Sequence, residues 1–131
     1  MDIISSQQQE VDKVLEVKPV QVEPIIQYIW CSAVISKKLE DIFCQFIIGQ
    51  LQSGVQIKEY IVYMSTIGGD PYSAVNLYSF LKSLSIKTTV YNIGLIASAG
   101  VPFFLGFKNR YGVPNCSFMV HQTTIERASF P

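Results

Sequence analysis

The chain has 131 residues, of which 49% are hydrophobic and only 15% charged. That length and apolar content suit one domain with a real core and exclude disorder of the whole chain. Ten basic and ten acidic side chains leave no formal net charge, which speaks against nucleic acid as the main partner, because phosphate binding needs a basic excess or patch.

Residues 1–24 differ from the rest. Ser5-Ser6-Gln7-Gln8-Gln9 is polar, 11–17 mixes charge with valine, and Pro19 and Pro24 punctuate the segment. It reads as a flexible or partner-dependent N-terminal arm. It has neither the basic nor the apolar region of a signal peptide, and no Arg precedes Arg110, so a transit peptide is not expected either. No uninterrupted apolar run approaches the roughly 18 residues of a membrane helix. The expected location is cytoplasmic, with no membrane contact.

From Ile25 the pattern becomes regular. Residues 25–33 read as a buried strand. Ser36 then precedes a helix whose Leu39, Ile42, Phe43, Phe46 and Ile47 share one face, with Ser36 as its cap and Gly54 at its end. Residues 60–64 form a short apolar run typical of a central parallel strand. Gly68-Gly69-Asp70-Pro71 is a turn into a second helix, marked by Ala74, Leu77, Tyr78 and Leu81. Residues 88–91 are the next strand, 94–100 a glycine-bounded turn, and 99–104 the start of a buried helix. A short strand at 110–112, a Pro114-Asn115 turn and an apolar strand over 117–120 lead to His121. Alternation of strand and helix with short connections predicts an α/β fold with a mostly parallel sheet. In such sheets function gathers at the carboxyl ends of strands.

Three features fall at those ends. Gly68-Gly69 offers exposed N–H donors. Ser98 sits among small and apolar residues in Gly94-Leu95-Ile96-Ala97-Ser98-Ala99-Gly100. His121, the sole histidine, closes the last strand. Each has an ordinary structural explanation: a turn, a helix N-cap and a packed imidazole. Together they make a plausible acyl-transfer site with nucleophile, base and oxyanion donors. Neither a GxGxxG nor a GxxxxGK[ST] pattern occurs, so no nucleotide cofactor is called for. Cys31, Cys44 and Cys116 have no metal-ligand spacing, so no metal is expected, and they read as buried small hydrophobes in a reducing compartment.

Ser65-Thr66-Ile67-Gly68-Gly69, the Gly94 to Gly100 segment and Pro114-Asn115-Cys116-Ser117-Phe118-Met119-Val120-His121-Gln122 resemble, in order and at nearly the same spacing, the motifs of the proteolytic subunit of the Clp protease, a ClpP-type serine peptidase. The resemblance covers about residues 26–122. It implies the crotonase-like ClpP fold of stacked ββα units. It makes Ser98 the nucleophile, His121 the general base, and the N–H groups of Gly69 and Ala99 the oxyanion hole. It also implies heptameric rings stacked in pairs, fed unfolded polypeptide by an AAA+ Clp ATPase that spends the ATP. The N-terminal arm would be the axial gate touching that ATPase.

The sequence departs from the family at several points. Thr66 and Ile67 replace the Ser-Pro part of Asn-Ser-Pro-Gly-Gly, and Ala99 replaces the usual Met. The family's third triad member, an Asp, lies far beyond the His. Here Glu126 is the only acid after His121, and the ring-joining helix is also missing, so 25–131 is expected to be a partial peptidase domain without the triad Asp. An inactive Clp-like structural subunit and a crotonase-fold acyl-CoA enzyme are the other two readings. The serine–histidine pair argues against the latter.

Overall fold

The computed structural model describes residues 22–121, together with Ser6, Gln7 and Glu10. The proposed arm therefore lies largely outside the described residues, as do Gln122 and Glu126. The elements in chain order are β1 (Ile25–Ser32), α1 (Lys37–Gln52), β2 (Ile57–Thr66), α2 (Pro71–Ser83), β3 (Lys87–Ala97), α3 (Gly100–Leu105), β4 (Asn109–Gly112) and β5 (Ser117–Met119).

The sheet order is β1-β2-β3-β4, with β5 also paired to β3, and all of these pairings are parallel. Parallel neighbours need crossover connections, which α1, α2 and α3 supply. β2 still holds one edge of β3 at Ile96, so β5, which faces Ile96 through Phe118, follows β4 along the other edge. β4 and β5 thus behave as one edge strand interrupted by the turn at 113–116. Opposite that interruption β3 is bulged. Met64 faces Asn92 and Thr66 faces Ile96, so two steps along β2 span four along β3.

Strand alternation divides the sheet into two faces. Tyr60, Val62, Met64 and Val90 turn inward against Phe43 and Ile47 of α1, Leu77 and Leu81 of α2, and Phe103 of α3. Each such large side chain contributes about 1.5–3 kcal/mol on burial. The opposite face carries a ladder of tyrosines, one from each of β1 to β4. Tyr28, Tyr63, Tyr91 and Tyr111 stack in succession with ring centroids 6.4, 5.6 and 5.2 Å apart. Trp30, beside them on β1, is 71% exposed.

Several expectations need correction. β1 is not a buried strand: only Cys31 is buried in it, because β1 is an edge strand with one face open. Ile42 and Phe46 of α1 remain exposed, and the face that packs inward is centred on Glu40, Phe43 and Ile47. Of the expected turn at 94–100, the first four residues belong to β3, and only Ser98 and Ala99 turn. Cys31 alone is buried among the cysteines, while Cys44 and Cys116 are half-buried. Burial pushes the Cys31 thiol up to about 11. It does the same for Cys44, with a smaller push from the charges of Glu40 and Asp41.

The helix signals hold in detail. The Leu39 N–H donates to Ser36 Oγ at 3.1 Å, and Gly54, just past α1, has a positive φ of 82°. Asp70 caps α2, accepting from the Tyr72 N–H at 3.0 Å, and Pro71 takes the first helical position.

Glu40 joins the first two helices. Its carboxylate accepts from Lys37 Nζ at 2.7 Å and from Asn76 Nδ2 of α2 at 2.9 Å. These bonds, with Lys37 first, hold the carboxyl below the ordinary glutamate value. A depressed folded-state value stabilises the protein above the ordinary value and is lost as pH falls through and below it. The melting temperature is therefore expected to drop on acidification below about pH 4.5. Glu40→Gln should flatten that part of the pH–melting curve. An identical acid limb in the variant would remove Glu40 as its source.

Candidate active site

The site is built by two loops and the end of β5. The first loop follows β2. The N–H of Ile35 donates to the Gly68 carbonyl and the N–H of Asp70 donates to the Ile35 carbonyl, both at 2.9 Å. This bridge uses the groups flanking Gly69, so the Gly69 N–H points away from Ile35. The loop admits no side chain here. A Cβ on Gly69 would run into the Ile35 carbonyl oxygen, and one on Gly68 would lie 2.9 Å from both the Ala97 oxygen and Ser98 Cβ. Their φ values, 148° and 102°, are ones that L side chains rarely adopt. The double glycine is what lets this loop press against the end of β3.

The second loop is the turn after β3. Ser98 has φ of 53°, a left-handed conformation that costs a non-glycine residue on the order of 1–2 kcal/mol. Two bonds hold it there. Its N–H donates to the Met119 carbonyl at 2.8 Å, and its carbonyl accepts from the Val101 N–H at 3.0 Å. Backbone strain of this kind persists where surrounding structure over-determines it, and it collects at functional sites. The turn also removes one structural explanation of Ser98. The N-cap of α3 is Ala99, and no side chain caps that helix.

The bond from Ser98 to Met119 places the residues after β5 directly over the turn. His121 Nε2 lies 2.8 Å from Ser98 Oγ. Gly69, Ser98, Ala99 and His121 line one groove of about 550 Å³ whose remaining walls are Pro71, Val75, Val101, Pro102 and Val120. All four residues singled out in the sequence are thus brought together. Sequence reasoning missed the apolar walls contributed by α2 and α3. Val75 and Val101 read as ordinary helix positions and carry no mark of a groove. Among the described residues no cluster of three or more His, Cys, Asp or Glu could hold a metal ion, and no helix is long and apolar enough to cross a membrane.

Residues 23–128 match the Clp protease family. The chain belongs to that family. Within the Clp protease family, a curated relative is the ATP-dependent Clp protease proteolytic subunit 2 of Borreliella burgdorferi. It is 30% identical over 67 residues, which are 50% of this chain and 34% of that protein. Solved structures share the fold. ClpP1 from Listeria monocytogenes aligns with a TM-score of 0.62 at 18% identity, covering 90% of this chain and 62% of that one. The ClpP protease catalytic domain from Plasmodium falciparum aligns with a TM-score of 0.66 at 17% identity, covering 94% of this chain and 62% of that one. The match spans about a third of the curated relative and under two thirds of these solved chains. The ClpP-like α/β fold with its mostly parallel sheet is as expected from the resemblance.

Proposed function

We propose that the chain carries the nucleophile, base and oxyanion donors of a serine-type peptidase site, as part of a Clp protease proteolytic subunit. The observation that carries this reading is the 2.8 Å contact between Ser98 Oγ and His121 Nε2 in a groove shared with Gly69 and Ala99. In this reading His121 is neutral with its proton on Nδ1, so that Nε2 accepts from the Ser98 hydroxyl. Ser98 Oγ attacks the carbonyl carbon of a peptide bond and forms a new C–O bond as its proton passes to Nε2. The carbonyl electron pair moves to oxygen, and the N–H groups of Gly69 and Ala99 stabilise the resulting oxyanion. Collapse breaks the C–N bond, and the imidazolium returns the proton to the leaving amine. Water, deprotonated by the same nitrogen, then hydrolyses the Ser98 ester.

Among the described residues none is given the role of the orienting acid. The whole subunit's setting belongs to the same proposal: rings of subunits, stacked in pairs, that receive unfolded polypeptide from an AAA+ Clp ATPase. The open tyrosine face and exposed Trp30 support an assembled state, since an apolar patch of this kind on a monomer marks a surface for association.

A fluorophosphonate reagent tests the site directly, because it captures a serine only when an adjacent base activates it. The wild-type protein is expected to label stoichiometrically and Ser98→Ala not at all. Equal labelling of the two would remove Ser98 as nucleophile. A folded wild type that resists the reagent would favour an inactive structural subunit.

A further inference from the structure

Asn92 is fully buried in the middle of β3, between Tyr91 and Ile93. A primary amide in such a place is costly unless both ends are satisfied, and here both are. Its Nδ2 donates to the Ser117 carbonyl at 2.9 Å, and its Oδ1 accepts the Gly94 N–H at 3.0 Å. Its own carbonyl accepts the Val113 N–H at 3.0 Å. Asn92 is the last residue of β3 to pair with β4, opposite Gly112, and three residues later β3 pairs with β5, Leu95 facing Ser117. Its backbone therefore holds the first residue of the 113–116 turn, and its side chain holds the first residue of β5. The same amide spans the bulge through Gly94.

From Ser117 the path to the chemistry is short. β5 runs two residues to Met119, whose carbonyl fixes the Ser98 N–H at 2.8 Å. Two residues later His121 meets Ser98 Oγ. β5 has only three residues and none of them is buried; the edge-on contact of Phe118 with Phe104, at 5.1 Å between ring centroids, is the one ring contact it makes among the described residues, so side-chain burial alone sets its register weakly. The buried amide at its head adds a constraint from a side chain fully shielded from water.

We propose that Asn92 is a positioning residue for the Ser98–His121 pair: it sets the register of β5 on β3 and, through it, the reach of His121 to the serine. This rests on the acyl-transfer reading of the site. Asn92→Leu keeps side-chain size and loses both hydrogen bonds. It should slow fluorophosphonate labelling of Ser98 by at least about tenfold at a temperature well below its melting point, since small displacements at a reacting pair carry penalties of that order or larger. The single histidine gives an independent readout by NMR. In an otherwise wild-type chain, Ser98→Ala should move the His121 imidazole signals, and in the Asn92→Leu background that response should vanish.

Asn92→Asp guards against a leucine variant that does not fold. Ionised, the carboxylate has no donor for the Ser117 carbonyl. Protonated, it regains the donor and acceptor pattern of the amide. Its labelling rate relative to wild type should therefore rise as pH is lowered. A purely structural role predicts lower melting temperatures with unchanged labelling and an unchanged imidazole response. That result, or a flat relative rate for Asn92→Asp, would overturn the proposal. If the wild type itself resists the probe, the acyl-transfer reading fails, and the imidazole comparison alone decides the role of Asn92.

Discussion

Replacing His121 with alanine is expected to lower peptide-bond hydrolysis by about 10²-fold, the share of the roughly 10⁶-fold effect of a complete triad that is left where no orienting acid is assigned, while leaving the melting temperature nearly unchanged. The size follows from what Nε2 does in the proposed reaction. It removes the Ser98 proton as the new bond forms and returns it to the leaving amine, so both halves of the cycle lose their proton carrier. The small effect on stability follows from exposure. His121 lies at the surface just beyond β5, where truncation usually changes stability by about 0.5 kcal/mol or less. The more diagnostic result is the double variant. Ser98→Ala should lose as much activity as His121→Ala, and combining them should lose no more, because residues acting as one unit give strongly non-additive effects. Peptide-cleavage rates for the two single variants and the double variant supply the check. Losses that multiply would mean the two residues act independently, and the 2.8 Å contact would then be incidental.

Gly69→Ala is expected to destabilise the fold by about 3–5 kcal/mol, the sum of broken backbone bonds and backbone strain. The new methyl would collide with the carbonyl oxygen of Ile35, and it would lie 3.0 Å from the carbonyl carbon and the nitrogen of the same residue. Those are backbone atoms that cannot rotate aside. Relief requires breaking the paired bonds Ile35 N–H to Gly68 and Asp70 N–H to Ile35, each contributing about 1 kcal/mol. The φ of 148° adds strain of about 1–3 kcal/mol for a residue with a Cβ. Such a loss is a large share of the roughly 5–15 kcal/mol that a domain of this size possesses. In thermal unfolding it should appear as a fall of more than about 10 °C. Gly54→Ala is the natural control. That glycine also has a positive φ, but a methyl there meets only open space, so the cost should stay near 1–2 kcal/mol. A Gly69→Ala protein that melts with the control would show that the loop can move away from Ile35.

The alternation of elements was legible from the sequence because apolar spacing and caps act locally. Ser36, Asp70-Pro71 and Gly54 mark helix ends through bonds within a turn of chain, and their signals carried into the structure. The length of β3 was not legible. Gly94 reads as a turn in isolation, yet the strand continues to Ala97 because β5 pairs with Leu95, Ile96 and Ala97 from more than twenty residues away. The exposure of β1 was equally hidden. Ile26, Tyr28, Ile29 and Trp30 put large apolar side chains on both faces, so nothing local distinguishes the wet face from the packed one. Placement at strand ends grouped Gly69, Ser98 and His121, motif resemblance added Ala99 and the individual roles, and periodicity alone left each with an ordinary explanation. The demand for glycine at 69 comes from Ile35, far upstream, with no pattern linking the two. The buried amide of Asn92 shows in the sequence only as one more polar residue in a strand that also carries Thr88 and Thr89.

The pairing of Ser98 with β5 also has a consequence for the timing of synthesis. A ribosome delivers the serine first and the histidine 23 residues later. The turn that presents the hydroxyl is secured by the Met119 carbonyl, which arrives almost as late. The nucleophile and its base are therefore completed together, when the short β5 strand closes on the edge of the sheet. In the proposed peptidase, a nascent chain would hold its serine without a base until that strand had emerged, and it would be harmless to its neighbours and to itself for that interval.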